Sequence, residues 1–151
     1  MKPIDPHTAA KVWDRVQNTA VPAPDAQFIL TQITEELLDA ALFQQMARRL
    51  PPPQANLVRA LSRQDQSHAV CLKGIYTMIT GRKPIAPTPT VGDDPPSILL
   101  RKCYGRKMRA LSQYEARQGD PQYGHVFRTL ARQEQEHCHR ILEILGVISK
   151  S

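Results

Sequence analysis

Glycine is scarce in this chain, at 7 of 151 residues, and most of its 13 prolines fall in a few clusters. That combination leaves room for long uninterrupted helices separated by sharp breaks. No run approaches the roughly 18 consecutive apolar residues of a membrane span, so no membrane partner is expected. The opening Met1-Lys2-Pro3-Ile4-Asp5-Pro6 has no apolar targeting core. The three cysteines, Cys71, Cys103 and Cys138, are odd in number and lie on separate expected helices, which speaks against a disulfide framework and for a reducing cytoplasm. The absence of a Cys-x-x-Cys pair excludes a zinc ribbon or a rubredoxin-type iron site. There is no Gly-x-Ser-x-Gly elbow, no phosphate-binding glycine loop and no dinucleotide fingerprint.

What is present suits one packed domain. Apolar residues make up 41% and charged residues 23%. The formal charge of +6 is read as a solubility feature, because no nucleic-acid motif accompanies it. The breakers divide the chain into an N-terminal arm, 1–25, and a helical body, 26–148. Within the arm, Ala9 to Asn18 reads as a short helix that packs Trp13, with Val12 and Val16, onto the body. Four long helices are expected at about 26–50, 54–80, 95–118 and 121–148. Asp25 reads as an N-cap, Pro51-Pro52-Pro53 as a stop, and Gly81 as a helix-terminating glycine. Asp94-Pro95 and Asp120-Pro121 both read as an N-cap followed by proline at the first helical position. The first and third links are short and the second is long. This predicts an all-α, antiparallel four-helix bundle of ferritin-like type, two hairpins joined by a long crossover.

Helical periodicity selects the inward faces. The first helix offers Ile29, Ile33, Glu36, Ala40, Phe43, Ala47 and Leu50. The second offers Val58, Leu61, Asp65, His68, Leu72, Ile75 and Ile79. The fourth offers Tyr123, Phe127, Leu130, Glu134, His137, Ile141, Ile144 and Ile148. Each seam is apolar except at its middle, where ionisable residues appear. The two hairpins also read as copies of one unit. Phe43 follows Glu36 by seven residues, as Tyr114 follows Lys107, and an acid-x-x-His pair then follows in each half. By this alignment Lys107 takes the position of Glu36.

A carboxylate and a histidine three residues apart share one helical face and can grip one metal ion. Carboxylate oxygen and imidazole nitrogen suit iron or manganese. Through Glu36-Leu37-Leu38-Asp39-Ala40-Ala41-Leu42-Phe43, Asp65-Gln66-Ser67-His68 and Glu134-Gln135-Glu136-His137, the sequence resembles the rubrerythrin-like branch of the ferritin-like superfamily over about residues 26–148. The resemblance implies a non-haem di-iron or manganese site, redox chemistry toward peroxide or oxygen, and homodimers. It implies metal ligands at Glu36, Asp65, His68, Glu134 and His137.

Two departures follow. Asp65 stands where the family has Glu, and Lys107 stands where the third helix should supply Glu. A protonated ammonium only donates and cannot ligate. Glu36, Asp65 and Glu134 give −3 and Lys107 gives +1. One divalent ion therefore balances the site, two leave it at +2, and none leaves −2, which burial opposes. The expectation is at most one tightly bound ion, near Glu36, Asp65 and His68 and away from Lys107. The alternative is a non-catalytic bundle in which Lys107 pairs with the core carboxylates. Tyr114 is expected in the core, in reach of a site ligand. His7, His125 and His139 are read as surface residues, and Cys71 and Cys103 as small buried ones. Lys102, Arg106, Arg109 and Arg117 are read as an outer, solvated basic stripe.

Overall fold

The Asp25 carboxylate accepts the backbone N–H of Phe28 at 2.6 Å and so caps the first helix. From there the structure, a computed structural model that describes residues 25–149, is built of four helices and, among the described residues, no strand. They are α1 (Ala26–Ala47), α2 (Pro52–Thr80), α3 (Pro96–Glu115) and α4 (Gly124–Ile148). The expected arm helix, with Val12, Trp13 and Val16, and the surface assignment of His7 lie outside the described residues.

The helix ends differ from the sequence expectation by local chemistry. α1 stops at Ala47 rather than Leu50, since Leu50 precedes a proline and the α region is disfavoured there. α2 begins within the proline cluster, at Pro52, because the first turn has no use for the N–H that proline lacks. Its end is as expected: Gly81 takes φ 71° and donates its N–H to the Thr77 carbonyl at 2.7 Å. Asp94 does not cap α3. Pro95 holds the N-cap position, and Asp94 Oδ2 instead accepts from Lys102 Nζ at 3.0 Å. Asp120 opens the turn that leads into α4, its Oδ1 accepting the N–H groups of Gln122 and Tyr123 at 2.9 and 2.7 Å. Gly124 is required where that turn meets the helix, because a Cβ there would run into the Gln118 carbonyl.

Two apolar clusters form the core. One joins Phe43 and Met46 near the end of α1, Val58 and Leu61 near the start of α2, Leu100 and Cys103 of early α3, and Ile141 and Ile144 of late α4. The other joins Ile29 and Ile33 of early α1, Leu72 and Ile75 of late α2, Tyr114 of late α3, and Phe127 and Leu130 of early α4. The seam positions are buried as expected, with only the end positions Leu50, Ile79, Tyr123 and Ile148 partly open. α1 packs closely with α2, where Ser62 Oγ donates to the Ala40 carbonyl at 2.8 Å, and α3 packs closely with α4. The 2–3 link has Ala86 against the second cluster and is tied further on to late α1, through Gln45 Nε2 to the Gly92 carbonyl at 2.7 Å and an Arg49 guanidinium N–H to the Asp94 carbonyl at 2.9 Å. Between the two clusters each helix carries its polar residues inward. No helix among the described residues is long and apolar enough to cross a membrane.

Candidate metal centre

Polar side chains in a core survive only when each finds partners. Here Glu36 and Asp39 come from α1, Asp65 and His68 from α2, Lys107 and Tyr114 from α3, and Glu134 and His137 from α4, all buried. The ligand atoms of Glu36, Asp65, His68 and Glu134 lie within 4.8 Å of one another, and this buried set can hold a metal ion. Glu36 rather than the half-buried Glu35 faces inward, as the seam requires. Tyr114 is fully buried and its hydroxyl donates to Glu36 Oε1 at 3.2 Å.

Lys107 points into the middle of this set. Its Nζ donates to Asp65 Oδ1 at 2.5 Å and to Glu36 Oε2 at 3.4 Å, and lies 3.2 Å from Glu134 Oε2 and 3.5 Å from Asp39 Oδ2. Only 2% of the residue is exposed, so the stem does not carry the charge out to water. Burial opposes the ammonium, but Asp65, Glu36, Glu134 and Asp39 together outweigh it and raise Lys107 well above its ordinary value. Asp65 is itself pushed upward, chiefly by burial, with Lys107 pulling the other way. The proton of this pair belongs on Lys107, because only the ammonium is attracted to all four carboxylates at once.

His68 Nδ1 faces Glu134 Oε1 at 3.1 Å and Glu36 Oε2 at 3.3 Å. Burial disfavours its charge, but these bonds prevail and raise it to about 10. Glu36 is held below the usual carboxylate range: burial raises it, and Lys107 and the His68 bond outweigh that. Glu134 goes the other way, to about 7, because burial dominates. His137 drops to about 3 through burial and the nearby Lys107 and His68 charges. Near neutral pH Lys107 and His68 are therefore charged, Glu134 stands close to its midpoint and His137 is neutral.

His137 stands apart from the four-residue set. Its ring stacks on His68 at 5.7 Å and its Nδ1 lies 3.2 Å from Asp65 Oδ1. Its Nε2 is hydrogen-bonded to Gln64 Oε1, and His68 Nε2 to Gln133 Oε1 at 2.7 Å. These reciprocal bonds across α2 and α4 turn both Nδ1 atoms inward, where a neutral imidazole can ligate. A groove of about 480 Å³ between α2 and α4, lined by Gln64, Ser67, Glu136, His137 and Arg140, meets the outer side of His137. A larger groove of about 920 Å³, lined by Cys71, Met78, Tyr123 and Val126, has none of the centre's carboxylates in its wall.

Sequence reasoning passed over Asp39, Arg106, Gln64 and Gln133. A signal for the glutamines exists: Arg63-Gln64-Asp65-Gln66-Ser67-His68 and Arg132-Gln133-Glu134-Gln135-Glu136-His137 share the pattern Arg-Gln-acid-Gln-x-His. Asp39 lies three residues from Glu36, hence on the same face. Arg106 does not join a solvated stripe. Its side chain is 14% exposed and its Nε donates to Asp39 Oδ1 at 2.7 Å, since the buried carboxylate draws it inward. Arg117 lies over the Phe28 ring at 3.5 Å, while Lys102 and Arg109 are exposed. Cys103 is buried as expected, but Cys71 is exposed, because its neighbour Leu72 takes the inward position. His125 and His139 are exposed. Searches against protein-family models, curated proteins and solved structures find no match.

Proposed function

We propose that this chain is a ferritin-like protein of rubrerythrin type, two antiparallel hairpins joined by a crossover, that holds a single iron or manganese ion. The observation that carries this is the buried set Glu36, Asp65, His68 and Glu134, with ligand atoms within 4.8 Å of one another. Three further points support it. Asp65 Oδ2 is buried without a hydrogen-bond partner, an acceptor that a cation would satisfy. Carboxylate oxygens with one imidazole are the donor set of manganese and non-haem iron. The helix ends that meet in each apolar cluster are those that two hairpins with a crossover bring together.

One ion fits and two do not. With Glu134 and His68 both deprotonated, four carboxylates balance one divalent ion plus Lys107 and Arg106. A second ion would leave two uncompensated charges in the core. A bound iron or manganese ion would supply one-electron chemistry toward peroxide or oxygen. The chain supplies the rest: Tyr114 orients Glu36, Gln133 sets the His68 tautomer, and Lys107 keeps a fixed positive charge beside the ligands.

The second reading is a metal-free bundle in which the Lys107 ammonium is the permanent counter-charge. Its 2.5 Å contact with Asp65 favours it. Metal analysis of the purified chain after iron or manganese loading, with thermal unfolding in metal and in chelator, separates the two. One ion per chain and a melting temperature that rises with metal are expected. No retained ion and an unchanged melting temperature would establish the metal-free bundle, and two tightly held ions would sink the one-ion site.

A further inference from the structure

The carboxylates of the two halves are unevenly shared. α1 carries Glu36-x-x-Asp39, whereas the corresponding positions of α3 carry Lys107-x-x-Ala110. The acid missing from α3 is matched by an extra one on α1, so the centre still contains four carboxylates: Glu36, Asp39, Asp65 and Glu134. Three of them belong to the set that can hold an ion, and Asp39 does not. Arg106 Nε fixes Asp39 through Oδ1 at 2.7 Å, which leaves Oδ2 facing Lys107 Nζ at 3.5 Å. Arg106 is in turn steadied by an N–H to Cys103 Sγ at 3.4 Å.

We propose that Asp39 is a positioning residue that receives the Lys107 ammonium when an ion enters, so that the Lys107 and Arg106 charges, both anchored on Asp39, take the place of a second metal ion's charge. This rests on the one-ion reading above. An ion held by Glu36, Asp65, His68 and Glu134 would draw on the carboxylates that Lys107 now contacts at 2.5 to 3.4 Å and would repel its charge. Lys107 is buried and cannot discharge itself to water, so it must keep a carboxylate inside the core. Among the described residues, Asp39 is the one carboxylate paired with Nζ that is not in the ligand set. It is already within ion-pair distance, so a small shift of the lysine stem completes the transfer. Nothing in this step changes the charge of Lys107 or Asp39.

The test uses manganese binding to the full chain, read as loss of the free-ion electron paramagnetic resonance signal, for four proteins: the wild type, Asp39→Asn, Lys107→Met and the double variant. The wild type binds one ion. Asp39→Asn deprives Lys107 of its one carboxylate partner outside the ligand set and weakens binding by about tenfold or more. The double variant, with no ammonium to accommodate, recovers the wild-type affinity. A purely structural role for Asp39 would leave the double variant as weak as the single one, and that result overturns the proposal. So does wild-type affinity in Asp39→Asn. Arg106, partly exposed, can turn to solvent when Asp39 is neutralised, and circular dichroism of each variant verifies the fold. If neither the wild type nor Lys107→Met binds manganese, the one-ion site itself is wrong and the proposal falls with it.

Discussion

Lys107 decides the chemistry of the centre, and its surroundings set what its loss does. In chelator, Lys107→Met leaves four buried carboxylates facing Arg106 and His68 alone. Unfolding by urea should then require about 3–5 kcal/mol less than in the wild type, the range for breaking a buried ion pair by removing one partner. Excess manganese should return most of that difference, by about 2.7 kcal/mol at a hundred times the dissociation constant. The same network makes the metal-free protein sensitive to alkali. His68 is raised from 6.5 to about 10 and Glu134 from 4.5 to about 7. A group whose pKa is raised by folding stabilises below its unfolded value and loses that contribution as pH rises through the folded one. The Glu134 contribution is therefore lost between pH 4.5 and 7 and the His68 contribution between pH 6.5 and 10, so denaturant midpoints should fall from pH 7 to pH 10 and His68→Gln should flatten that fall. On the acid side His137, lowered from 6.5 to about 3, has the opposite sign: its contribution is present above 6.5 and is lost as pH falls toward 3. Metal-free midpoints that stay level from pH 7 to 10 would contradict the charged His68.

At the scale of the element, the helices were largely legible. Seam residues such as Ile33, Phe43, Leu72 and Ile141 recur at three and four residues, and burial of one stripe is what holds such helices. The caps at Asp25 and Gly81 were readable because each acts within one turn. The starts of α3 and α4 were not. Asp94 and Asp120 both precede proline, yet one pairs with Lys102 and the other builds a turn, a choice set by neighbours outside the local sequence. Gly124 follows from that turn. Gly124→Ala should destabilise by about 1–3 kcal/mol, since the added Cβ meets backbone rather than a yielding side chain. Thermal unfolding of that variant beside Gly146→Ala, where a Cβ meets nothing, measures it. Equal melting temperatures would show that the turn shifts freely.

For the molecule as a whole, the α1–α2 and α3–α4 halves repeat one acid-x-x-His pattern and differ at the centre, where Lys107 corresponds to Glu36. Lys107→Glu restores the symmetry and should raise the metal content from one ion to two, as counted by elemental analysis. At pH 7, uptake of one ion by the wild type should release between about one and two protons, one from His68 and the remainder from the partly protonated Glu134, since ligands must be deprotonated. Calorimetric titration in buffers of different ionisation enthalpy measures that number, and a value near zero would count against His68 as a ligand.

The sequence by itself determined the inward stripes of three helices, the mid-height position of Glu36, Asp65, His68, Glu134 and His137, and the charge conflict at Lys107. Period and charge are local properties, and a repeat can be read by counting. Only the tertiary structure decided where the charges go. It turned Lys107 inward because four carboxylates outweigh the burial of its charge. It drew Arg106 out of the surface stripe onto Asp39, and it tied each imidazole to a glutamine on the opposite helix. Those choices depend on which side chains from different helices share one low-dielectric space, and no periodicity along a single helix encodes that.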